Sequence, residues 1–80
     1  MYREGERKVE ESFIAFVADI MDIDVTKINL DTTYGAIDNW DSLMHMRLVL
    51  EIESEYQIEI PINEIPKINS LRDFYKYIQI

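Results

Sequence analysis

Apolar residues recur at three- and four-residue spacing near both ends of the chain, with acidic residues placed between them. This spacing is the period of an amphipathic α helix. The first such segment, residues 6–21, has its apolar positions at Val9, Phe13, Phe16, Val17 and Ile20. The last segment, residues 70–79, follows Asn69 and Ser70, either of which can act as the N-cap, and has its apolar positions at Leu71, Phe74, Tyr75 and Ile78. We predict one helix over each segment.

A second helix is predicted in the middle of the chain. Asp41 and Ser42 both favour the N-cap position, and the helical pattern that follows them ends near Tyr56, which predicts a helix over residues 42–56. Further along, Pro61 and Pro66 bracket a four-residue segment that can form no more than a single turn or a short helix, over residues 62–66.

Residues 22–41 show no helical period and are rich in turn-favouring Asp, Asn and Gly, which predicts a long loop. A loop of this length must be fixed to the rest of a small domain, and its apolar residues are the candidate anchors: Val25, Ile28, Leu30, Tyr34 and Ile37. Sustained two-residue alternation is missing, so a sheet is not expected. The predicted fold is all-α: residues 1–80 form a single domain, a small antiparallel bundle of three main helices plus one short helix, with a long loop between the first and second helices.

The apolar residues of the second helix form two stripes when each residue is turned by about 100° from the last. Leu48, Val49, Ile52 and Tyr56 share one side with His45, and this stripe is expected to pack into the bundle. Leu43, Met46 and Leu50 lie on nearly the opposite side, bordered by Arg47, Glu53 and Ser54. This second stripe is either covered by the long loop or left open for a partner, and partial cover would satisfy both.

Length, charge and the lack of cysteine limit the partners and the chemistry that the chain can have. Eighty residues with 48% hydrophobic content are enough for one compact core, and a net charge of −8 disfavours nucleic acid and anionic lipid as partners. Seven acidic residues but only Arg47 lie between Asp38 and Glu64, so a partner with a basic surface is expected to dock there. No segment approaches the roughly 18 apolar residues of a membrane span and no secretion signal is evident, so we expect a cytoplasmic monomer without membrane insertion. The chain has no cysteine, so any thiol chemistry must come from a cofactor.

The segment Asp38–Leu43 reads DNWDSL, and here the chain resembles the acyl carrier and peptidyl carrier protein family. The phrases VTKINLDTTY, LVLEIESEYQIEIP and INSLRDFYKYI extend the resemblance over nearly the whole chain. It implies that Ser42 receives 4′-phosphopantetheine from coenzyme A through a phosphopantetheinyl transferase, and that the arm carries acyl or aminoacyl thioesters for loading and transferring enzymes with basic surfaces. Asp41 resembles the family's aspartate before the serine, which engages the transferase and its metal ion; N-capping is its alternative role.

Several residues depart from the pattern of fatty-acid carriers: Trp40, Met44, His45 and Arg47. The departures leave attachment at Ser42 intact and favour a specialised biosynthetic pathway over fatty-acid synthesis. The residues expected to contact partner enzymes lie on the second helix: Leu43, Met46, Arg47, Leu50 and Glu53.

Other readings of the same residues are weaker. Asp22, Asp24 and Thr26 have the spacing of an EF-hand loop, but Lys27 and Thr33 occupy the positions that need glycine and glutamate, so no metal site is predicted. Ser42 and His45 are three apart on a helix and point to different sides, without an oxyanion-hole glycine loop, so the chain is not expected to be an enzyme. The remaining alternative is an acidic helical interaction module without cofactor, in which Ser42 is only a cap.

Overall fold

The computed structural model describes residues 4–78, with side chains described from Lys8 onward. The described residues form three α helices: α1 (Glu4–Met21), α2 (Ser42–Tyr56) and α3 (Leu71–Ile78). Two 3-10 helices, η1 (Val25–Lys27) and η2 (Ile62–Lys67), lie between them. Within this part of the chain the only β pairing is an isolated bridge between Thr33 and Ser70, so the predicted all-α fold is confirmed. Residues 1–3 and 79–80 of the predicted domain, including the predicted last helical residue Gln79, lie outside the described residues.

All three α helices contribute to one hydrophobic core. Phe13 and Val17 of α1, Leu48 and Ile52 of α2, and Phe74 of α3 are fully buried. Val9 belongs to the apolar pattern of the first helix but is exposed, because the core begins one turn later, at Phe13. Among the described residues, no helix combines the length and the apolar character needed to cross a membrane.

The loop between α1 and α2 is fixed mainly by backbone hydrogen bonds to the start of α3. The N–H groups of Leu71 and Arg72 donate to the carbonyls of Thr32 and Leu30 at 3.1 and 2.8 Å, and Tyr34 N–H donates to Asn69 O at 2.8 Å. These bonds satisfy first-turn donors of α3 that have no partner within the helix.

Only part of the predicted set of loop anchors is buried. Ile28 and Leu30 enter the core and Ile37 is half-buried. Tyr34 is exposed but anchors the loop, because its ring packs against Trp40 and His45 with centroids 5.9 and 5.4 Å away. Val25 is exposed, so its prediction as an anchor is wrong. Trp40 takes the position of main anchor instead, with 1% of its surface exposed. The loop therefore reaches the start of α2 in a fixed position.

Hydrogen bonds define the N-cap of α3, which the sequence leaves between Asn69 and Ser70, and the end of α2. Ser70 is the N-cap of α3, since its Oγ accepts from Asp73 N–H at 3.3 Å while the Asp73 carboxylate accepts from Asn69 N–H at 2.9 Å. The arrangement differs from a capping box, because the Asp73 carboxylate binds the N–H of the residue before the cap and not that of Ser70 itself. At the other end of α2, Gln57 adopts a left-handed conformation (φ 55°) and its N–H donates to Glu53 O, which ends the helix.

Candidate functional site

Ser42 is the first residue of α2 and is exposed. Asp41 precedes it as the N-cap: its side chain accepts from Met44 N–H at 2.9 Å, and its carbonyl accepts from His45 N–H at 2.8 Å. Asp41 thus fixes the first turn of α2, and with it the backbone position of Ser42. The Ser42 hydroxyl makes no hydrogen bond to any described residue, so it is free to react.

The first turn of α2 suits a phosphodiester. The Asp41 side chain satisfies the Met44 N–H, and the N–H groups of Ser42 and Leu43 have no carbonyl partner inside the helix. Together with the positive end of the helix dipole, they stabilise negative charge placed on the serine oxygen. Because the serine is exposed at a junction between loop and helix, the residues present fit an attached phosphopantetheine and allow a modifying enzyme to approach.

The second apolar stripe of α2 lies open. Leu43, Met46 and Leu50 are 80%, 45% and 63% exposed, so the alternative in which the long loop covers them is wrong. Ile62, at the start of η2, is a further exposed apolar residue that sequence analysis did not single out. The opposite stripe is buried as predicted: His45, Leu48, Val49 and Ile52 enter the core, and Tyr56 is half-buried.

Two charged residues predicted to border the open stripe have intramolecular partners. Arg47 Nε lies 3.7 Å from Glu51 Oε2, one turn along α2, and both side chains remain largely in solvent. Glu53 Oε2 accepts from Ile60 N–H at 2.8 Å and so holds the segment that follows α2. Arg47 is available to a partner, whereas Glu53 has a structural task.

Behind Ser42, Trp40 and His45 form a hydrogen-bonded pair. Trp40 Nε1 donates to His45 Nδ1 at 3.1 Å, and His45 Nε2 lies 3.0 Å from the carbonyl oxygen of Ile65 in η2. An indole N–H can only donate, so Nδ1 must be the acceptor and Nε2 must carry the hydrogen that Ile65 accepts. The rings of Phe74 and Tyr34 pack against His45, with centroids 5.6 and 5.4 Å away.

The sequence places His45 on the inward stripe of α2 and Trp40 just before its N-cap, but the hydrogen bond between them was not predicted. The available signal was a tryptophan just before the helix cap together with a histidine on the inward stripe five residues later. The partner in η2 could not have been found in this way, because a backbone carbonyl leaves no trace in the sequence.

A groove of about 350 Å³ opens on the surface beside Ser42. Its walls are mostly apolar and come from the loop, α2 and the segment 65–68; they are Tyr34, His45, Met46, Ile65, Pro66 and Ile68. The groove therefore lies between the open stripe of α2, which contributes Met46, and the buried Trp40–His45 pair, which contributes His45.

Asp24, one of the residues with the spacing of an EF-hand loop, has a structural role. Asp24 Oδ1 accepts from the N–H and the hydroxyl of Thr26, at 2.9 and 2.7 Å, and caps η1. The backbone hydrogen bond, followed by the hydroxyl, lowers the pKa of Asp24 below its ordinary value. Across the described residues, no group of three or more His, Cys, Asp or Glu side chains is arranged to hold a metal ion.

Comparison with known proteins gives a consistent family. Residues 11–78 match the family described as "Phosphopantetheine attachment site". The chain is 36% identical over 72 residues to an acyl carrier protein of Rickettsia massiliae (strain Mtu5), covering 90% of this chain and 84% of the relative. It is 33% identical over 63 residues to one of Clostridium acetobutylicum, covering 79% and 82%, and 29% identical over 74 residues to one of Thermosynechococcus vestitus, covering 92% and 91%.

Proposed function

The chain belongs to the phosphopantetheine attachment-site family, and from this membership we propose that it is a carrier protein that holds acyl or aminoacyl groups as thioesters and delivers them to partner enzymes. The cofactor implied by the family is covalently attached 4′-phosphopantetheine. Its thiol supplies the thioester chemistry that a chain without cysteine cannot provide. The chain itself is a carrier and not a catalyst.

The attachment residue in this proposal is Ser42. The observation that carries it is an exposed serine with a free hydroxyl at the first position of α2, inside the DSL motif. The task of Asp41 is to hold that turn in place through the Met44 N–H, and its exposed carboxylate can also meet the transferase. Ser12, Ser54 and Ser70 lack this setting, since Ser12 and Ser54 lie inside helices and Ser70 caps α3.

The partner surface in this proposal is the open stripe of α2 with its charged border. Leu43, Met46 and Leu50 offer apolar contact area, and the acidic residues around them attract an enzyme with a basic docking surface. Arg47 interrupts the acidic border, which supports a partner set different from that of fatty-acid synthesis and hence a specialised pathway. We place this work in the cytoplasm, with the carrier acting as a monomer.

The test is transfer of phosphopantetheine from coenzyme A by a broad-specificity transferase, followed by intact mass. The wild-type chain should gain one phosphopantetheine unit and Ser42→Ala should gain none. Equal circular dichroism spectra of the two proteins would show that the variant is folded. A wild-type chain that stays unmodified under conditions where a control carrier is fully modified would favour the alternative function, an acidic interaction module in which Ser42 is only part of a helix cap.

A further inference from the structure

η2 is held beside α2 by polar contacts and by the partial burial of Ile65 against the core. None of the residues of η2 is buried, and its first turn has no side-chain cap. The hydrogen bond between His45 and the carbonyl of Ile65 ties η2 directly to α2, and the Glu53 bond to Ile60 N–H fixes the segment leading into it. Widening the space between α2 and η2 would break the His45 bond and expose the apolar surface of Ile65.

The interior of the bundle behind the His45–Ile65 hydrogen bond is filled by aromatic side chains. Trp40 and Phe74 are both fully buried, their ring centroids lie 6.4 Å apart, and the Trp40 indole is held by His45. Every buried side-chain nitrogen or oxygen of the described residues has a partner. A carried chain that entered the bundle here would have to displace a closely packed indole and leave Trp40 Nε1 and His45 Nδ1 unpaired, which is unfavourable on both counts.

The surface groove is lined in part by Ser42 itself. Its volume of about 350 Å³ is at the lower end of the range of about 300–1,000 Å³ for small-molecule sites, and it is open to solvent. A short group fits against Tyr34 and Met46, whereas the further carbons of a long chain would leave the groove and stay in water.

We propose that the hydrogen-bonded chain from Trp40 through His45 to Ile65 sets the specificity of this carrier, by closing the bundle to the attached group. The carried group is then a short acyl or aminoacyl unit that stays in the surface groove, and not a long alkyl chain sheltered in the core. This inference rests on the proposed attachment at Ser42.

The test is a series of loaded carriers that differ only in chain length. A broad-specificity transferase moves the acyl-phosphopantetheine unit of acetyl-, butyryl-, octanoyl- or dodecanoyl-coenzyme A onto the Ser42 oxygen, with release of adenosine 3′,5′-bisphosphate. A chain sheltered in the core should raise Tm by about 3–6 °C for each buried methylene. We expect Tm to level off after butyryl instead. A Tm that keeps rising through dodecanoyl would overturn the proposal.

The single tryptophan provides a second readout. The indole N–H resonance of Trp40 should have the same chemical shift in the acetyl- and dodecanoyl-loaded proteins, because the chain stays outside the core. A progressive shift with chain length would mean that the chain reaches Trp40 and would contradict the closed interior.

Trp40→Leu should open the interior and make Tm rise with chain length. The matched control is Phe13→Leu, which also shrinks a buried aromatic but contacts Tyr56 at the far end of α2, about 21 Å along the helix from Ser42. If Trp40→Leu folds and stays insensitive to chain length while the control behaves alike, the proposed role of Trp40 is wrong. If Trp40→Leu does not fold, the wild-type series and the indole resonance decide the question.

The two proposals fail in different ways. If the carrier function itself is wrong, no loaded protein forms and intact mass shows no gain. If only the specificity is wrong, every loaded protein forms and Tm keeps rising with chain length.

Discussion

The two sides of α2 have similar residues and opposite surroundings. Leu48, Val49 and Ile52 on the inner side are at most 2% exposed, whereas Leu43 and Leu50 on the outer side are 80% and 63% exposed. Leucine therefore occurs on both sides of one helix, fully buried at position 48 and open two residues later. Hydrophobicity alone did not decide which stripe packs into the core.

This difference in burial indicates that the inner side of α2 serves stability and the outer side serves recognition. On the inner side the side chains fill the space between three helices, and burial of each contributes to stability. On the outer side no described residue covers the stripe, and an exposed apolar row beside a reactive serine is typical of a docking surface. The outer stripe should thus be needed for recognition and dispensable for folding.

The largest expected effect is a difference in stability between Leu48→Ala and Leu50→Ala, which tests whether only the inner side of α2 is needed for folding. Removing the buried Leu48 side chain should lower the free energy of unfolding by about 2–5 kcal/mol, because it leaves a cavity in the core. Removing Leu50 should change it by less than about 0.5 kcal/mol. Urea unfolding of both variants measures this. Equal losses would mean that Leu50 is packed, and the docking surface would lose its main support.

Met46→Glu and Leu50→Glu should slow recognition without unfolding the protein. We expect the rate of Ser42 modification by a phosphopantetheinyl transferase to fall by about ten-fold or more, the effect of removing a central apolar contact. The control is Ala15→Glu, which adds the same charge on the exposed side of α1. If the control slows modification as much as the α2 variants, added charge and not lost contact is the cause.

Arg47→Glu tests whether charge on the outer side of α2 affects which enzymes recognise it. An enzyme of fatty-acid synthesis with a basic docking surface should load the variant up to about five-fold faster at low salt, because a positive charge has been replaced by a negative one. The gain should vanish at high salt, where screening acts over a few ångströms. Equal loading of both proteins at low salt would make Arg47 a neutral surface residue, and the preference for a specialised pathway would lose support.

The smallest effect is expected at Tyr56, at the end of the inner side. Burial, then Glu55 and Tyr75, raises the pKa of Tyr56 above its ordinary value of 10.0, because the fold disfavours the phenolate. The contribution to stability is complete below about pH 10 and is lost as the pH rises through the raised pKa. Urea unfolding should show a slightly steeper alkaline loss for the wild type than for Tyr56→Phe. Identical pH profiles would contradict this assignment.

Most of the helical architecture could be predicted because periodicity and caps are local signals. Asp41 and Ser70 both have short side chains that accept from a backbone N–H three residues on, and they mark the starts of α2 and α3 correctly. The loop was harder, since a single apolar residue in an irregular segment has no period to indicate its direction. Val25 was therefore counted wrongly among the anchors of the loop.

The candidate site likewise has features that could be predicted from local sequence and one that could not. Ser42 and its cap follow from a local motif, and the position of the second stripe follows from the helical period. The exposure of that stripe was left undecided by the sequence and is shown by the structure. The hydrogen-bonded chain from Trp40 through His45 to Ile65 links two residues five apart to a backbone carbonyl twenty residues further on, so finding it required the folded structure.

The most direct test of the account is to locate the attached group. After modification with coenzyme A and a transferase, the protein is digested and its fragments are sequenced by mass spectrometry. The account predicts the phosphopantetheine mass on Ser42 alone. Its presence on Ser12, Ser54 or Ser70 would contradict the assignment of the site and, with it, the role given to the outer side of α2.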